Sequence, residues 1–162
     1  MEIKHGGPDD VDAAALIWAH AVARRDGYDE VPTLAEARPG VENALIGERS
    51  FLLLALESGR AVGFVAGGPQ ETDGRAFLNY VGVHPDAWGR GVGEALLRAL
   101  PDTLIKNGYE TVELLVFVDN VRGVLLYERL GWIKVGDPVP HPRHGRLEQR
   151  YAFSPASREP GV

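Results

Sequence analysis

Apolar residues recur at helical spacing in Val11, Ala14, Ala15, Trp18 and Val22, just behind Asp9 and Asp10, whose carboxylates suit a helix start. A short strand over Glu2–His5 precedes this helix. A second, weaker helix is expected from about Thr33 to Ile46, interrupted near Pro39 and Gly40. The period then changes. Phe51–Leu56 is an unbroken apolar run, Ser58 and Gly59 form a turn, and Ala61–Ala66 is apolar again. That pattern predicts a hairpin whose first strand is buried on both faces. A strand over Ala76–Val83 stops at His84–Pro85, and a helical stripe follows from Gly91 through Val92, Ala95, Leu96, Ala99, Leu100 and Leu104 to Asn107–Gly108. Pro101 falls inside that stripe, where it removes a hydrogen bond and collides with the carbonyl of Leu97, so a kink or an early end is expected. Thr111–Val118 reads as a strand. Asn120 opens a short helix carrying Val124, Leu125, Tyr127 and Leu130, closed by Gly131, and Trp132–Val135 and Leu147–Phe153 read as two last strands.

Strand 76–83, helix 91–107 and strand 111–118 form a crossover unit, which implies a parallel pair inside an otherwise mixed sheet and an α+β (loosely α/β) class. With 162 residues, 44% hydrophobic and 25% charged, the chain fits one globular domain over residues 1–153, with a polar, proline-bearing tail over 154–162 that is expected to fray. The absence of cysteine excludes disulfides, thiolate nucleophiles and cysteine-ligated zinc. The 17 basic and 23 acidic residues leave a net charge of −6, and no basic run supplies the local patch that nucleic-acid binding would need. The longest apolar run falls far short of a membrane span, and the first residues are polar, so a cytoplasmic protein is expected.

The chemistry concentrates in Val81-Gly82-Val83-His84-Pro85-Asp86-Ala87-Trp88-Gly89-Arg90-Gly91-Val92-Gly93-Glu94. A strand ends at a proline, and alternating glycines open a helix. Helix N-termini carry unpaired N–H groups and a partial positive charge, and glycines let an anion reach them, so phosphate or diphosphate is the natural ligand. Arg90 adds a cation within the loop. No lysine–hydroxyl pair follows the glycines, so a Walker A loop is absent. The dinucleotide fingerprint lacks its third glycine, since Leu96 stands there; a carboxylate does follow at Glu113, which keeps a nucleotide-binding domain as one reading.

The run Val-His-Pro-x-x-x-Gly-x-Gly-x-Gly ahead of an amphipathic helix resembles motif A of the GCN5-related N-acetyltransferase (GNAT) superfamily. Asn120-Val121-Arg122-Gly123-Val124-Leu125-Leu126-Tyr127-Glu128-Arg129-Leu130-Gly131-Trp132 is similar to its motif B. The resemblance is strong over roughly residues 51–135 and elsewhere follows element order. It implies the acyl-CoA N-acyltransferase fold: a mixed, mostly antiparallel sheet of about seven strands with a central parallel pair, flanked by about four helices. It also implies acetyl-CoA as cosubstrate, no metal, direct transfer to a primary amine of a small molecule or peptide, and a possible homodimer.

By position, the resemblance gives the diphosphate to the amides of Gly89, Arg90, Gly91, Val92, Gly93 and Glu94, and the pantetheine arm to the backbone of Val81 and Val83. The thioester would lie in a slot between about Gly82 and Val116, where a backbone N–H supports the oxyanion. Tyr127 matches the tyrosine that protonates the departing thiolate, although a helix tyrosine can equally fill a core. Asn120 matches a coenzyme contact and is also a good N-cap. Trp88 stands where Gln or Arg is usual; its backbone amide could still serve the coenzyme, and its indole could cover the adenine or pack on the sheet. Gly123 replaces an alanine. The general base is unassigned: the matching glutamate falls near Phe77, Asn79 and Tyr80 are not bases, and Glu113 is the candidate, on a strand expected to face solvent. His84 is expected to shape the turn before Pro85, while His20, His141 and His144 are further candidates. A non-catalytic acyl-CoA-binding module is the alternative function.

Overall fold

The computed structural model describes residues 1–72 and 74–155. The elements run β1 (Glu2–His5), α1 (Val11–Asp26), α2 (Leu34–Ala44), β2 (Phe51–Glu57), β3 (Arg60–Pro69), β4 (Arg75–Val83), α3 (Val92–Lys106), β5 (Thr111–Phe117), α4 (Val121–Arg129), β6 (Ile133–Pro140) and β7 (Leu147–Phe153). The strands hydrogen-bond in the order β1-β2-β3-β4-β5-β7-β6 in a 7-stranded mixed sheet. β4 and β5 are the parallel pair, joining Arg75, Ala76 and Phe77 to Thr111, Val112 and Glu113. The crossover read from the sequence is therefore present. Contacts divide the chain into two compact units, Met1–Gly68 with Leu78–Leu100, and Pro69–Phe77 with Pro101 onward.

In the first unit, α1 ends where Gly27 takes a left-handed conformation (φ 70°) and returns its N–H to the Ala23 carbonyl. α2 starts at a reciprocal cap: the Thr33 hydroxyl accepts from Glu36 N–H, and the Glu36 carboxylate accepts from Thr33 N–H. The expected interruption at Pro39 and Gly40 does not occur. Val41, 0% exposed, holds the helix down, and this packing outweighs the hydrogen bond that Pro39 cannot donate. Val11, Ala14, Ile17 and Val41 pack against Leu52, Leu54 and Phe64, with Trp18 and Tyr80 at the margin. β2 is buried over its first five residues, as its continuous apolar run requires.

In the second unit, β5 pairs antiparallel with β7 from Val112↔Phe153 to Phe117↔Glu148. Tyr127, Trp132 and Tyr151 form an aromatic core, with ring centroids 5.7 and 6.3 Å from Tyr127. β6 runs on to Pro140, beyond the expected end at Val135, because a register shift between Val135 and Val139 lets it rejoin β7. α3 does not end early at Pro101 but continues to Lys106, with Leu100 and Leu104 both buried along its apolar stripe. Of the expected tail, Pro155 is buried, and residues 156–162 lie outside the described chain. Among the described residues, no helix is long and apolar enough to cross a membrane.

Candidate functional site

The glycine loop is built by the end of β4 and the start of α3. Glycine at 63 lets α3 lie close on the sheet: a Cβ there would stand 2.7 Å from Val92 and 3.1 Å from Leu96, side chains of the first turns of that helix. Beyond Val83 the chain makes a 3₁₀ turn, Pro85–Ala87, capped by His84, whose Nδ1 accepts from Asp86 N–H at 3.2 Å. His84 thus shapes the turn as expected. Its ring lies 4.7 Å from that of His20 on α1. Burial, together with His20 and Arg60, lowers the His84 pKa against the opposing pull of the Asp86 carboxylate.

Gly89 and Gly91 both adopt left-handed backbone, with φ of 79° and 77°, and a Cβ added at either would meet nothing within 4 Å. The surroundings are open, and it is the conformation that demands glycine. The first helical hydrogen bond runs from Ala95 N–H to the Gly91 carbonyl, so the amides of Val92 and Gly93 precede the helical ladder. Alternating backbone hand ahead of a helix N-terminus makes a concave set of N–H dipoles that suits an anion. The Arg90 guanidinium donates to the Asp86 carbonyl at 2.7 Å and approaches Glu57 at 3.4 Å.

Two expectations for this loop need correction. The Trp88 amide is not available to a ligand, because it donates to the Pro85 carbonyl at 3.1 Å and closes the 3₁₀ turn; the concave run of amides begins at Gly89. The Trp88 indole N–H donates to the Val83 carbonyl at 2.7 Å, so at Val83 that oxygen is already engaged. Sequence reasoning missed this bond because nothing in the residue order says which acceptor an indole finds.

In the second unit, Asn120 caps α4 as expected, its Oδ1 accepting from Gly123 N–H at 3.2 Å. Glycine at 123 leaves room for this, since a Cβ there would come 2.8 Å from Asn120 Nδ2. Tyr127 is buried on α4. Glu113 does not face solvent. It is 9% exposed, and its Oε1 accepts from Gln70 at 3.0 Å and from Arg150 at 3.1 Å. His141 and His144 stack at 3.9 Å, and each Nδ1 accepts a backbone N–H within its own loop, from Arg143 and Arg146. His144 lies low in pKa, through desolvation first and then the nearby His141, Arg146 and Arg143 charges, against Glu148.

The model of the acetyltransferase (GNAT) family matches residues 16–132 of this chain. The chain belongs to the GNAT acetyltransferase family. That match takes in both the glycine loop and the Asn120–Trp132 segment. An acetyltransferase of Yersinia pestis is 33% identical over 132 residues, covering 82% of this chain and 87% of the relative. An acetyltransferase of Pectobacterium atrosepticum is 34% identical over 130 residues, covering 80% and 86%. GNAT membership with relatives at this identity makes the chain an N-acetyltransferase. Among solved structures, the ribosomal-protein-S18-alanine N-acetyltransferase of Escherichia coli superposes with a TM-score of 0.75 at 23% identity, covering 99% of this chain and 97% of that one. The yncA protein of Salmonella typhimurium, solved with its cofactor acetyl-CoA, gives a TM-score of 0.74 at 23% identity, covering 94% and 92%. These two likenesses establish the GNAT fold.

The residues of the loop fit the coenzyme's diphosphate. Two left-handed glycines, open space at both, and amides lying ahead of the helical ladder offer a multiply charged anion the N–H donors that replace its water. Among the described residues, no group of three or more His, Cys, Asp or Glu could hold a metal ion.

Proposed function

We propose that this chain transfers the acetyl group of acetyl-CoA directly to a primary amine of a small molecule or peptide. The observation that carries the reading is the left-handed pair Gly89 and Gly91 at the start of α3. The amides of Gly89, Arg90, Gly91, Val92, Gly93 and Glu94 hold the diphosphate, the backbone of Val81 and the N–H of Val83, whose carbonyl is taken by the Trp88 indole, guide the pantetheine arm, and Asn120 contacts the coenzyme while it caps α4.

The coenzyme supplies a carbonyl already activated as a thioester. The neutral amine attacks that carbon, the carbon–sulfur bond breaks, and the bonding pair leaves on sulfur. Tyr127 donates its phenolic proton to that sulfur, a transfer between groups of similar basicity, and the proton shed by the amine leaves through solvent or a separate base. Glu113, the candidate base, is tied through its Oε1 to Gln70 and Arg150, and this reading does not route the amine proton through it.

The test is release of free thiol from acetyl-CoA in the presence of a panel of amines: polyamines, amino acids, aminoglycosides and peptides with free N-termini. Thiol release that depends on one amine class supports the reading. Calorimetric binding of acetyl-CoA with no turnover on any amine would favour the non-catalytic module.

A further inference from the structure

The bond between Trp88 and Val83 has a consequence for the whole loop. His84 N–H donates to Val62 of β3 at 2.8 Å, so strand alternation turns the polar groups of Val81 and Val83 toward the other edge of β4. On that edge the Val83 carbonyl receives the Trp88 indole N–H at 2.7 Å. Three further bonds within the turn are local: Ala87 N–H to His84, Trp88 N–H to Pro85, and Asp86 N–H to the His84 ring. Each shapes the turn without fixing its exit against the strand. Arg90 also ties back, to the Asp86 carbonyl within the same turn and to Glu57 by an ion pair at 3.4 Å, but its side chain is 54% exposed and an exposed ion pair contributes little. The indole bond is partly buried, and it joins the last residue of β4 to the residue immediately before Gly89. It therefore sets the direction in which the chain enters the two left-handed glycines.

We propose that Trp88 is a positioning residue for coenzyme binding, acting through its indole N–H on the Val83 carbonyl to pre-set the amides from Gly89 to Gly93. The proposal rests on the reading of that loop as the diphosphate site. It also accounts for tryptophan at a position where the resemblance has Gln or Arg. A Gln side chain carries its N–H donor the same number of bonds from Cβ as the indole does, so a donor is present in both cases while the bulk differs.

The experiment is calorimetric titration of coenzyme A into the parent chain and the variants W88F, W88Q and G91V. W88F keeps an aromatic ring and removes the donor; its Kd is expected to rise about five- to tenfold, the effect of one lost hydrogen bond. W88Q restores a donor and is expected to return the Kd to within about threefold of the parent. A W88F affinity equal to the parent's, or a W88Q affinity as weak as that of W88F, overturns the proposal. Should W88F not fold, W88Q decides alone: near-parent affinity upholds the donor role, and a loss of tenfold or more ends it. G91V separates the two readings. If G91V binds as the parent does, the diphosphate site itself is misplaced; if G91V binds poorly and W88F binds normally, only the role of Trp88 falls.

Discussion

At the scale of single residues, Tyr127 and His84 carry opposite kinds of information. Tyr127 is packed among Trp132 and Tyr151, so a substitution there tests chemistry only if bulk is kept. Tyr127→Phe is expected to cut turnover at least about a hundredfold, the typical contribution of a positioned acid, while the Kd for acetyl-CoA stays put. Steady-state rates beside a calorimetric Kd separate those two effects. His84 is a pH-sensitive part of the loop. Its Nδ1 lone pair holds Asp86 N–H, and protonation removes that lone pair. Because the folded chain lowers this pKa from 6.5, folding favours the neutral ring. Its contribution is full above the ordinary imidazole pKa and fades as pH falls through the lowered value. Coenzyme affinity is therefore expected to be flat near neutrality and to weaken in the acid range. In His84→Asn, whose amide oxygen accepts the same bond without titrating, the acid limb of a plot of Kd against pH should flatten.

At the scale of elements, α2 meets β4 at a very close approach. A Cβ at Gly40 would collide with the Tyr80 hydroxyl, and the Tyr80 ring is held edge-on by Trp18 at 4.9 Å. Burial of this phenol also raises its pKa. Gly40→Ala is expected to destabilise the chain by about 1–3 kcal/mol in urea unfolding, and Tyr80→Phe in the same background should recover most of that loss. Elements defined by local rules were readable in advance. The glycine loop, the Asn120 cap and the buried run of β2 each follow from neighbours within a few positions. What escaped reading depends on partners remote in the chain. The solvent-facing expectation for Glu113 failed because Gln70 and Arg150 stand 43 and 37 residues away. The length of β6 depends on how β7 meets it, and the persistence of α2 through Pro39 depends on the burial of Val41.

At the scale of the molecule, family membership fixes the class of reaction as acetyl transfer. A ligand that binds only the folded chain adds to its stability by mass action. Acetyl-CoA at about a hundred times its Kd is expected to stabilise the chain by about 2.7 kcal/mol, read as an upward shift of the thermal midpoint. Gly91→Val should show little of that shift at the same concentration, since its left-handed backbone is closed to a β-branched residue.

The turn at Gly89 and Gly91 has a practical corollary for anyone handling this enzyme. Dipoles already aimed at one spot do not distinguish a nucleotide's diphosphate from sulfate, inorganic phosphate or citrate, all of which seek the same kind of seat. With the diphosphate seated there as proposed, preparations kept in such salts are expected to carry a competitor into every assay, and the apparent hold on the coenzyme is expected to tighten after dialysis into chloride or acetate at equal ionic strength.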